Sequence, residues 1–280
     1  FRDYASKGVI ERTSINIKNC VRLYFRPRTP TQYHLEGIRP VKDYYRDTGR
    51  HTAHLPVPVF FLFKSSQILT RLDCEFTNGN AARAQAQRGS TAAFLRTLPF
   101  QKIYHNRWFS PAENEDITFH RHAEILIPKT LDLGALAMIV CRSPAEKDTL
   151  LSMLSKKTRS DYLGRIRVGE SMQLFERRWT FVEEALMDPK SITIRFSPDT
   201  QGPGPFQADF ILENLTTGKQ SKHCINDFDV STNEFCRRYS IEIEFTLQPP
   251  SSDYRFTLLL DNRVAYRNRY LQRELGDTPF

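Results

Sequence analysis

The sequence lacks any long hydrophobic run. Its most apolar stretch, Val57 to Phe63, has only the length of a strand, whereas a helix that crosses a bilayer needs about 20 apolar residues. The first residues, Phe1 to Tyr4, also lack a Met and the charged-then-apolar order of a signal peptide. We therefore expect a cytoplasmic protein with no membrane partner, whose chain is processed or incomplete at its start.

Metal-binding motifs are also missing. The five cysteines lie far apart, and no CxxC or Cys/His spacing suits zinc. His120 and His122 are two residues apart, with no third ligand at a usual spacing. We expect no metal and reduced thiols at every cysteine: Cys20, Cys74, Cys141, Cys224 and Cys236.

What the chain does have is apolar material and positive charge. Its 280 residues exceed the usual size of one compact domain, and 40% of them are hydrophobic, enough to bury real cores. The 40 Lys and Arg outnumber the 32 Asp and Glu, which gives a net charge of +8. That balance suits a partner made of phosphates, although a basic surface without such a partner explains it equally well.

The hydrophobic pattern changes along the chain. Residues 1–157 are predicted to mix helices with short apolar strands: Val21 to Phe25, Val57 to Phe63, Glu124 to Ile127 and Leu136 to Cys141. Ser143-Pro144-Ala145-Glu146 reads as a capping box with proline at the first helical position, and it predicts a helix that runs to Lys157.

Residues 158–280 alternate between apolar and polar side chains, as half-buried antiparallel strands do. The clearest stretches are Ser191 to Phe196, Ile241 to Leu247 and Tyr254 to Leu260. The turn-forming residues Pro198-Asp199 and Gly202 to Pro205 separate strands. We expect an α+β protein: a domain at 1–157, followed by a small, mainly antiparallel β domain at 158–280.

The segment Tyr24 to Tyr33 carries the first chemical signal. Two prolines rigidify the chain and hold Arg28 between them, which suits an arginine that grips phosphate through its planar fork. An ordinary strand end with a solvated arginine is the competing interpretation.

The second signal is Phe76 to Ala82. Its Asn-Gly pair predicts a turn, and the Ala-rich residues up to Gln87 favour a helix. Asn80 would lie near the start of that helix, available to a ligand or merely to the cap.

The third signal is His120 to Pro128, in which Glu124 begins the apolar half of a predicted strand. Burying a carboxylate costs several kcal/mol, so such a residue needs a partner or a task. An edge-strand glutamate that points at water is the alternative.

Between the second and third segments, aromatic and basic residues are interleaved. Bases stack on aromatic faces while Lys and Arg follow the phosphates, so this mixture suits single-stranded nucleic acid, and a buried aromatic cluster is the alternative. The residues are Arg96, Phe100, Lys102, Tyr104, His105, Arg107, Trp108 and Phe109.

In this order and at these separations, the three segments resemble the DarT family, toxins that transfer ADP-ribose to bases in nucleic acid. The resemblance rests on Tyr24 to Tyr33, Phe76 to Ala82 and Arg121 to Ile127, and it covers about residues 8–150. It implies an ADP-ribosyltransferase fold, a split β core with helices, that uses NAD and needs no metal.

The resemblance also assigns roles to residues. Glu124 matches the catalytic glutamate, Arg28 an essential arginine, and Asn80 a position occupied by His or Asn in other members. Glu124 would orient NAD by the nicotinamide ribose, and Arg28 would hold the diphosphate or assist proton loss from the base. The predicted NAD-binding residues are Tyr24, Arg28, Tyr33 and Asn80, and the predicted nucleic-acid contacts are Lys102, Tyr104, His105, Arg107, Trp108, Arg121 and His122.

The resemblance implies a substrate loop at Pro99 to Phe119. It also implies an additional N-terminal strand and turn, which we expect to be missing from this chain. Many members modify thymine in single-stranded DNA, a sister branch modifies guanine, and related toxins reach RNA. We expect a base-modifying toxin of a toxin–antitoxin or phage-defence system, with an antitoxin protein as a possible partner. The alternatives are an RNA-targeting transferase of the same fold, a nucleic-acid-binding module without catalysis, and, least favoured, a metal nuclease using Glu113, Glu115 and Asp116.

Overall fold

The computed structural model describes residues 17–41, 55–197, 201–202, 204–230 and 242–272. Contacts divide the chain into a first unit, Phe1–His34 with Phe61–Ala137, and a second unit, Leu35–Phe60 with Met138–Phe280. The boundary expected at residue 157 therefore lies within the second unit, and the extent of the catalytic domain stays a prediction. The expected absence of an N-terminal strand, the turn at Pro198-Asp199, Pro203 and Cys236 lie outside the described residues.

The described residues form fourteen strands and seven α-helices. The strands are β1 (Cys20–Tyr24), β2 (Val59–Phe63), β3 (Glu75–Asn80), β4 (Arg88–Gly89), β5 (Ala123–Pro128), β6 (Leu136–Cys141), β7 (Ile166–Val168), β8 (Val182–Met187), β9 (Ser191–Phe196), β10 (Phe206–Asn214), β11 (Gln220–Phe228), β12 (Glu242–Thr246), β13 (Asp253–Leu260) and β14 (Arg263–Leu271). The helices are α1 (Pro30–Leu35), α2 (Ser65–Leu69), α3 (Ala92–Thr97), α4 (Phe100–Ile103), α5 (Asn114–His120), α6 (Pro144–Met153) and α7 (Lys156–Tyr162). Within the described ranges, none of these helices is long and apolar enough to span a membrane.

The first unit is built on an antiparallel sheet with the strand order β1–β5–β3–β4. Strand β5 is central, and both of its faces are covered. Ile125 and Ile127 pack into a core with Phe76 and Ile103, while Leu126 on the opposite face packs against Ile17. Because side chains alternate along a strand, Glu124 shares the face of Leu126 and is carried into the interior with it.

The prediction of a turn at Asn78-Gly79 and a helix after it is wrong. Both residues belong to β3, and the residues up to Gln87 are not helical. Asn78 exchanges hydrogen bonds with Gln87, since its backbone N–H donates to the Gln87 carbonyl and its side-chain oxygen accepts from the Gln87 N–H. A Cβ on Gly79 would lie 2.4 Å from the ring of Phe119, so glycine is needed here for close packing rather than for a turn.

The predicted helix at Ser143 begins where expected but ends early. The Ser143 side chain accepts a hydrogen bond from the Glu146 N–H, and Pro144 is the first helical residue. Helix α6 ends at Met153, because the Ser155 side chain caps a new helix, α7, by accepting from the Thr158 N–H. The basic residues Lys156 and Lys157 therefore lie in the first turn of α7.

The segment Pro99 to Phe119 is also more ordered than the predicted loop. It contains α4, a 3₁₀ turn at Pro111–Glu113 and most of α5. Ser110 and Glu113 form a capping box at that turn, so one of the acids considered for a metal nuclease has a structural role.

The second unit is mainly antiparallel, as predicted. One sheet has the order β11–β10–β13–β14, and another has the order β12–β9–β8. Apolar residues that alternate along β9, β10 and β13 form one core, including Ile194, Phe210 and Phe256. A third sheet, β2–β6–β7, contains the parallel pair β6–β7. The predicted α+β class is confirmed.

Candidate active site

Glu124 is fully buried at the start of β5. Its backbone N–H donates to the Thr77 hydroxyl at 2.9 Å, which ties β5 to β3. On the other side, the antiparallel register places Tyr24 of β1 directly opposite Glu124. The backbone of Glu124 is thus held between β1 and β3, and its buried carboxylate needs a counter-charge.

Arg22 supplies that counter-charge. Its Nε and Nη2 donate to the two carboxylate oxygens of Glu124, each at 2.5 Å. Arg22 lies two residues before Tyr24 on the same face of β1, so it reaches Glu124 diagonally across the strand pair. The resemblance implied that Arg28 is the essential arginine of this site. Among the contacts of the described residues, the guanidinium that pairs with Glu124 belongs to Arg22, and Arg28 lies beyond the end of β1.

Arg28 has an unusual backbone. Its φ is 55°, in the left-handed region that residues with a Cβ seldom adopt. Its N–H donates to the side chain of Gln32, and its carbonyl accepts from Arg121. Its own Nε is buried, and no described residue accepts from it. An arginine held in strain with an unused donor is a candidate for ligand binding.

His122 is buried and linked to two segments of the site. Its Nδ1 lies 2.8 Å from the Thr118 carbonyl, which can only accept, so Nδ1 carries a hydrogen. Its Nε2 lies 3.0 Å from the Thr31 hydroxyl. Burial lowers the pKa of His122, and the nearby cations Arg22 and Arg121 add to this effect. His122 thus bridges helices α1 and α5, and its predicted contact with nucleic acid stays a prediction.

The two predicted tyrosines differ in their surroundings. Tyr24 is 38% exposed, and burial of the rest of its ring raises its pKa, with the charge of Glu124 acting in the same direction. Tyr24 also hydrogen-bonds to Thr31. Tyr33 is 40% exposed on α1 and places its ring edge-on to His34. Both therefore have surface that a ligand can contact.

Asn80 is the last residue of β3, paired with Ala123 next to Glu124. Its side-chain oxygen accepts from the Ala82 N–H at 3.0 Å. This oxygen therefore closes a turn after β3 and not the helix start considered from the sequence, while Asn80 pairs with the neighbour of Glu124.

The aromatic and basic segment is anchored from β1. Arg26 donates to the carbonyls of Ile103 and His105, and the Tyr104 hydroxyl donates to the Phe25 carbonyl. Lys102 pairs with Asp116, which also faces His120. The residues beyond this anchor are open, since Trp108 is 84% exposed and Arg107 is exposed beside it.

Positive charge is concentrated in the first unit. Of the 40 basic and 32 acidic residues, 16 basic and 9 acidic ones belong to that unit, and 24 and 23 to the other. Within the described residues, the exposed Arg83, Arg96 and Arg107 have no acidic partner. The electrostatic attraction for a phosphate backbone therefore lies in the unit that contains Glu124.

A metal site is not visible in the described part of the chain, where no three His, Cys, Asp or Glu residues cluster. The four described cysteines are free thiols.

Sequence analysis missed Arg22 because the β1–β5 register is not readable from the sequence. One signal was available: Arg22 is a charged residue within an apolar strand, as Glu124 is, and two such residues of opposite charge can pair. Sequence analysis also missed Thr77, whose hydroxyl fixes the Glu124 backbone.

Three comparisons with known proteins bear on this site. A family model described as "ssDNA thymidine ADP-ribosyltransferase, DarT" matches residues 1–171. Among curated proteins, none matches.

Solved structures with similarity include DarT of Thermus sp. 2.9 with NAD⁺, at 17% identity, a TM-score of 0.41, and coverage of 54% of this chain and 71% of that one. The same protein with ADP-ribosylated ssDNA gives 19% identity, a TM-score of 0.41, and coverage of 54% and 66%. Thermosipho africanus DarTG with ADP-ribose gives 18% identity, a TM-score of 0.34, and coverage of 54% and 34%. Similarity at these scores bears on no detail of the site.

Proposed function

The chain belongs to the DarT family of NAD-dependent ADP-ribosyltransferases that act on single-stranded DNA, and from this premise we propose that it marks thymine, with Glu124 as the catalytic carboxylate. The observation that carries the proposal is the complete burial of Glu124 on β5, between β1 and β3, with a guanidinium on both oxygens. Even a paired charge is costly to bury, so an ion pair kept at this position is a candidate for a functional role.

The chemistry asks for such a group. NAD supplies the ADP-ribose: the bond from the ribose C1′ to the nicotinamide nitrogen breaks, its electron pair leaves with nicotinamide, and a base nitrogen bonds to C1′ while losing its proton. Glu124 would bind the ribose hydroxyls and stabilise the positive charge that develops on the sugar. Because the strands hold it in place beforehand, it needs little reorganisation in the transition state.

The remaining residues fit a ligand that carries phosphates and an aromatic ring. Arg28 offers a buried Nε without an acceptor among the described residues, and a diphosphate oxygen would satisfy it. Tyr24 and Tyr33 are each partly exposed on the segment that holds Arg28. Asn80 would contribute through its amide, since its oxygen is already used by Ala82.

Single-stranded DNA would follow the exposed part of Pro99 to Phe119. Trp108 would stack on a base, and Arg107 would contact phosphate. Tyr104 is 51% exposed and Lys102 is half exposed, so both can also contact the strand. His105 would support the loop, and the better supported roles of Arg121 and His122 are to hold Arg28 and to bridge α1 to α5.

A toxin role follows from the same chemistry. An enzyme that attaches a large, doubly charged group to DNA bases blocks base pairing, so the cell that makes it needs an inhibitor. We therefore propose an antitoxin protein as partner, within a toxin–antitoxin or phage-defence system.

The experiment is transfer from labelled NAD to oligonucleotides. We expect label on thymine-containing single-stranded DNA, at least a hundredfold less with Glu124→Gln, and full activity with Asp132→Asn, an exposed acid of the same unit outside the proposed DNA-binding segment. Label on RNA instead of DNA would support the RNA-targeting alternative. An unlabelled set of oligomers, together with salt-sensitive binding that needs no NAD, would support the non-catalytic binding module and overturn the proposal.

A further inference from the structure

We propose that Arg22 is a positioning residue for the transferase reaction, which holds the Glu124 carboxylate in the orientation that the ribose requires. This inference rests on the proposed function and adds Arg22 to the residues that the resemblance assigns to the site. The observation behind it is the geometry of the Arg22–Glu124 pair.

The contact is bidentate. Nε and Nη2 of Arg22 each approach a different oxygen of Glu124 at 2.5 Å. A planar guanidinium that donates two parallel hydrogen bonds fixes both the distance and the rotation of the carboxylate, which a single ammonium does not. Each carboxylate oxygen keeps one further lone pair, so the pair leaves Glu124 able to accept from two hydroxyls.

The strand register places Arg22 within reach of Glu124. Tyr24 lies opposite Glu124, and Arg22 lies opposite Leu126 on the same face. From there the arginine reaches back by one diagonal step, a distance that suits a long side chain.

Exposure distinguishes the two partners. The side chain of Arg22 is 31% exposed, whereas that of Glu124 is not exposed. Arg22 is therefore the member of the pair that is open to solvent. Because the role proposed for Arg22 is to orient the carboxylate and not to bind NAD, removing it should disturb the chemical step more than the binding of NAD.

Steady-state kinetics of the full chain test this inference. We expect Arg22→Gln to lower kcat at least tenfold while the KM for NAD stays within about threefold. Arg22→Lys should lie between Arg22→Gln and wild type, because it keeps the charge but loses the fork. In Arg22→Ala, added guanidinium should restore more activity than the same concentration of ammonium.

A matched control is available in the same unit. Arg71 forms a similar bidentate pair with Asp73, but that pair is exposed, so Arg71→Gln should leave kcat and KM unchanged. Equal kcat for wild type and Arg22→Gln, or a loss confined to KM, would overturn the inference.

Thermal unfolding separates a failure of this inference from a failure of the proposed function. Arg22→Gln should lower Tm by about 10 °C, since it leaves a buried carboxylate unpaired. The double variant Arg22→Gln/Glu124→Gln should regain at least half of that loss, because an amide needs no cation. A wild type that labels no oligonucleotide would refute the proposed function alone, whereas additive losses of Tm in the double variant would refute the pairing on which Arg22 depends.

Discussion

Glu146→Gln should remove a pH dependence from the stability of the second unit. Glu146, Arg142 and Glu36 form a buried cluster in which one guanidinium pairs with two carboxylates. Glu36 also accepts hydrogen bonds from the backbone N–H groups of Glu176 and Arg177. Burial raises the pKa of Glu146 to about 7, and the charge of Glu36 acts in the same direction.

The size of the effect follows from that shift. The folded protein keeps a proton on Glu146 that the unfolded chain, with an ordinary pKa of 4.5, releases. The stabilisation is complete below about pH 4.5 and is lost as the pH rises through about 7. The difference between a pKa of 4.5 in the unfolded chain and about 7 in the folded protein corresponds to about 3 kcal/mol in the free energy of unfolding. Glutamine does not titrate, so the stability of Glu146→Gln does not fall over this pH range.

Urea unfolding at several pH values measures the difference. Trp179 is buried in the same unit, whereas Trp108 is exposed, so tryptophan fluorescence reports chiefly on Trp179. The stability of wild type minus that of Glu146→Gln should fall by about 3 kcal/mol between pH 4.5 and pH 8. Glu213→Gln, which breaks the half-exposed pair with Arg255, should give a flat difference within about 0.5 kcal/mol. A flat curve for Glu146→Gln, or one that rises with pH, would refute the reasoning.

Three further substitutions test the first unit. Gly79→Ala should cost about 1 to 3 kcal/mol of stability, because its Cβ would meet the Phe119 ring at 2.4 Å; an unchanged Tm would contradict this packing. Arg28→Gly should raise stability by about 1 kcal/mol, because glycine adopts the left-handed backbone of this position without strain. It should nevertheless lower the labelling of DNA at least tenfold, and labelling at the wild-type level would show that Arg28 is not part of the site. The double variant Trp108→Ala/Arg107→Gln should weaken DNA binding at least tenfold and reduce its salt dependence by about one phosphate contact, with Tm unchanged. Fluorescence anisotropy across a salt series measures this, and an unaltered affinity would place the DNA strand elsewhere.

Features that follow local rules were predictable from the sequence. The alternation in Ser191 to Phe196 gave strand β9 with the same bounds, and Ser143-Pro144 marked the first residue of α6. Glu124 was a candidate because a charge in an apolar strand is expensive to bury wherever the strand lies. The family was likewise recognisable from short ordered segments.

Some predictions of local structure failed. Asn78-Gly79 has the local preference of a turn, but hydrogen bonds to Gln87 and packing under Phe119 hold it in β3. Helix α6 was predicted to continue to Lys157, but Ser155 caps a new helix and ends α6 at Met153. In the first case tertiary contacts outweigh a weak local preference.

The sequence by itself determined several of the strands, β9 among them, and where α6 begins, and it made Glu124 a candidate for the site, because periodicity, capping and the cost of burying charge act within a few residues. Only the tertiary structure decided that Arg22 rather than Arg28 faces that carboxylate. The partner depends on how β1 is aligned with β5, about 100 residues away, and a shift of one residue in that alignment would turn Arg22 to the opposite face of the sheet.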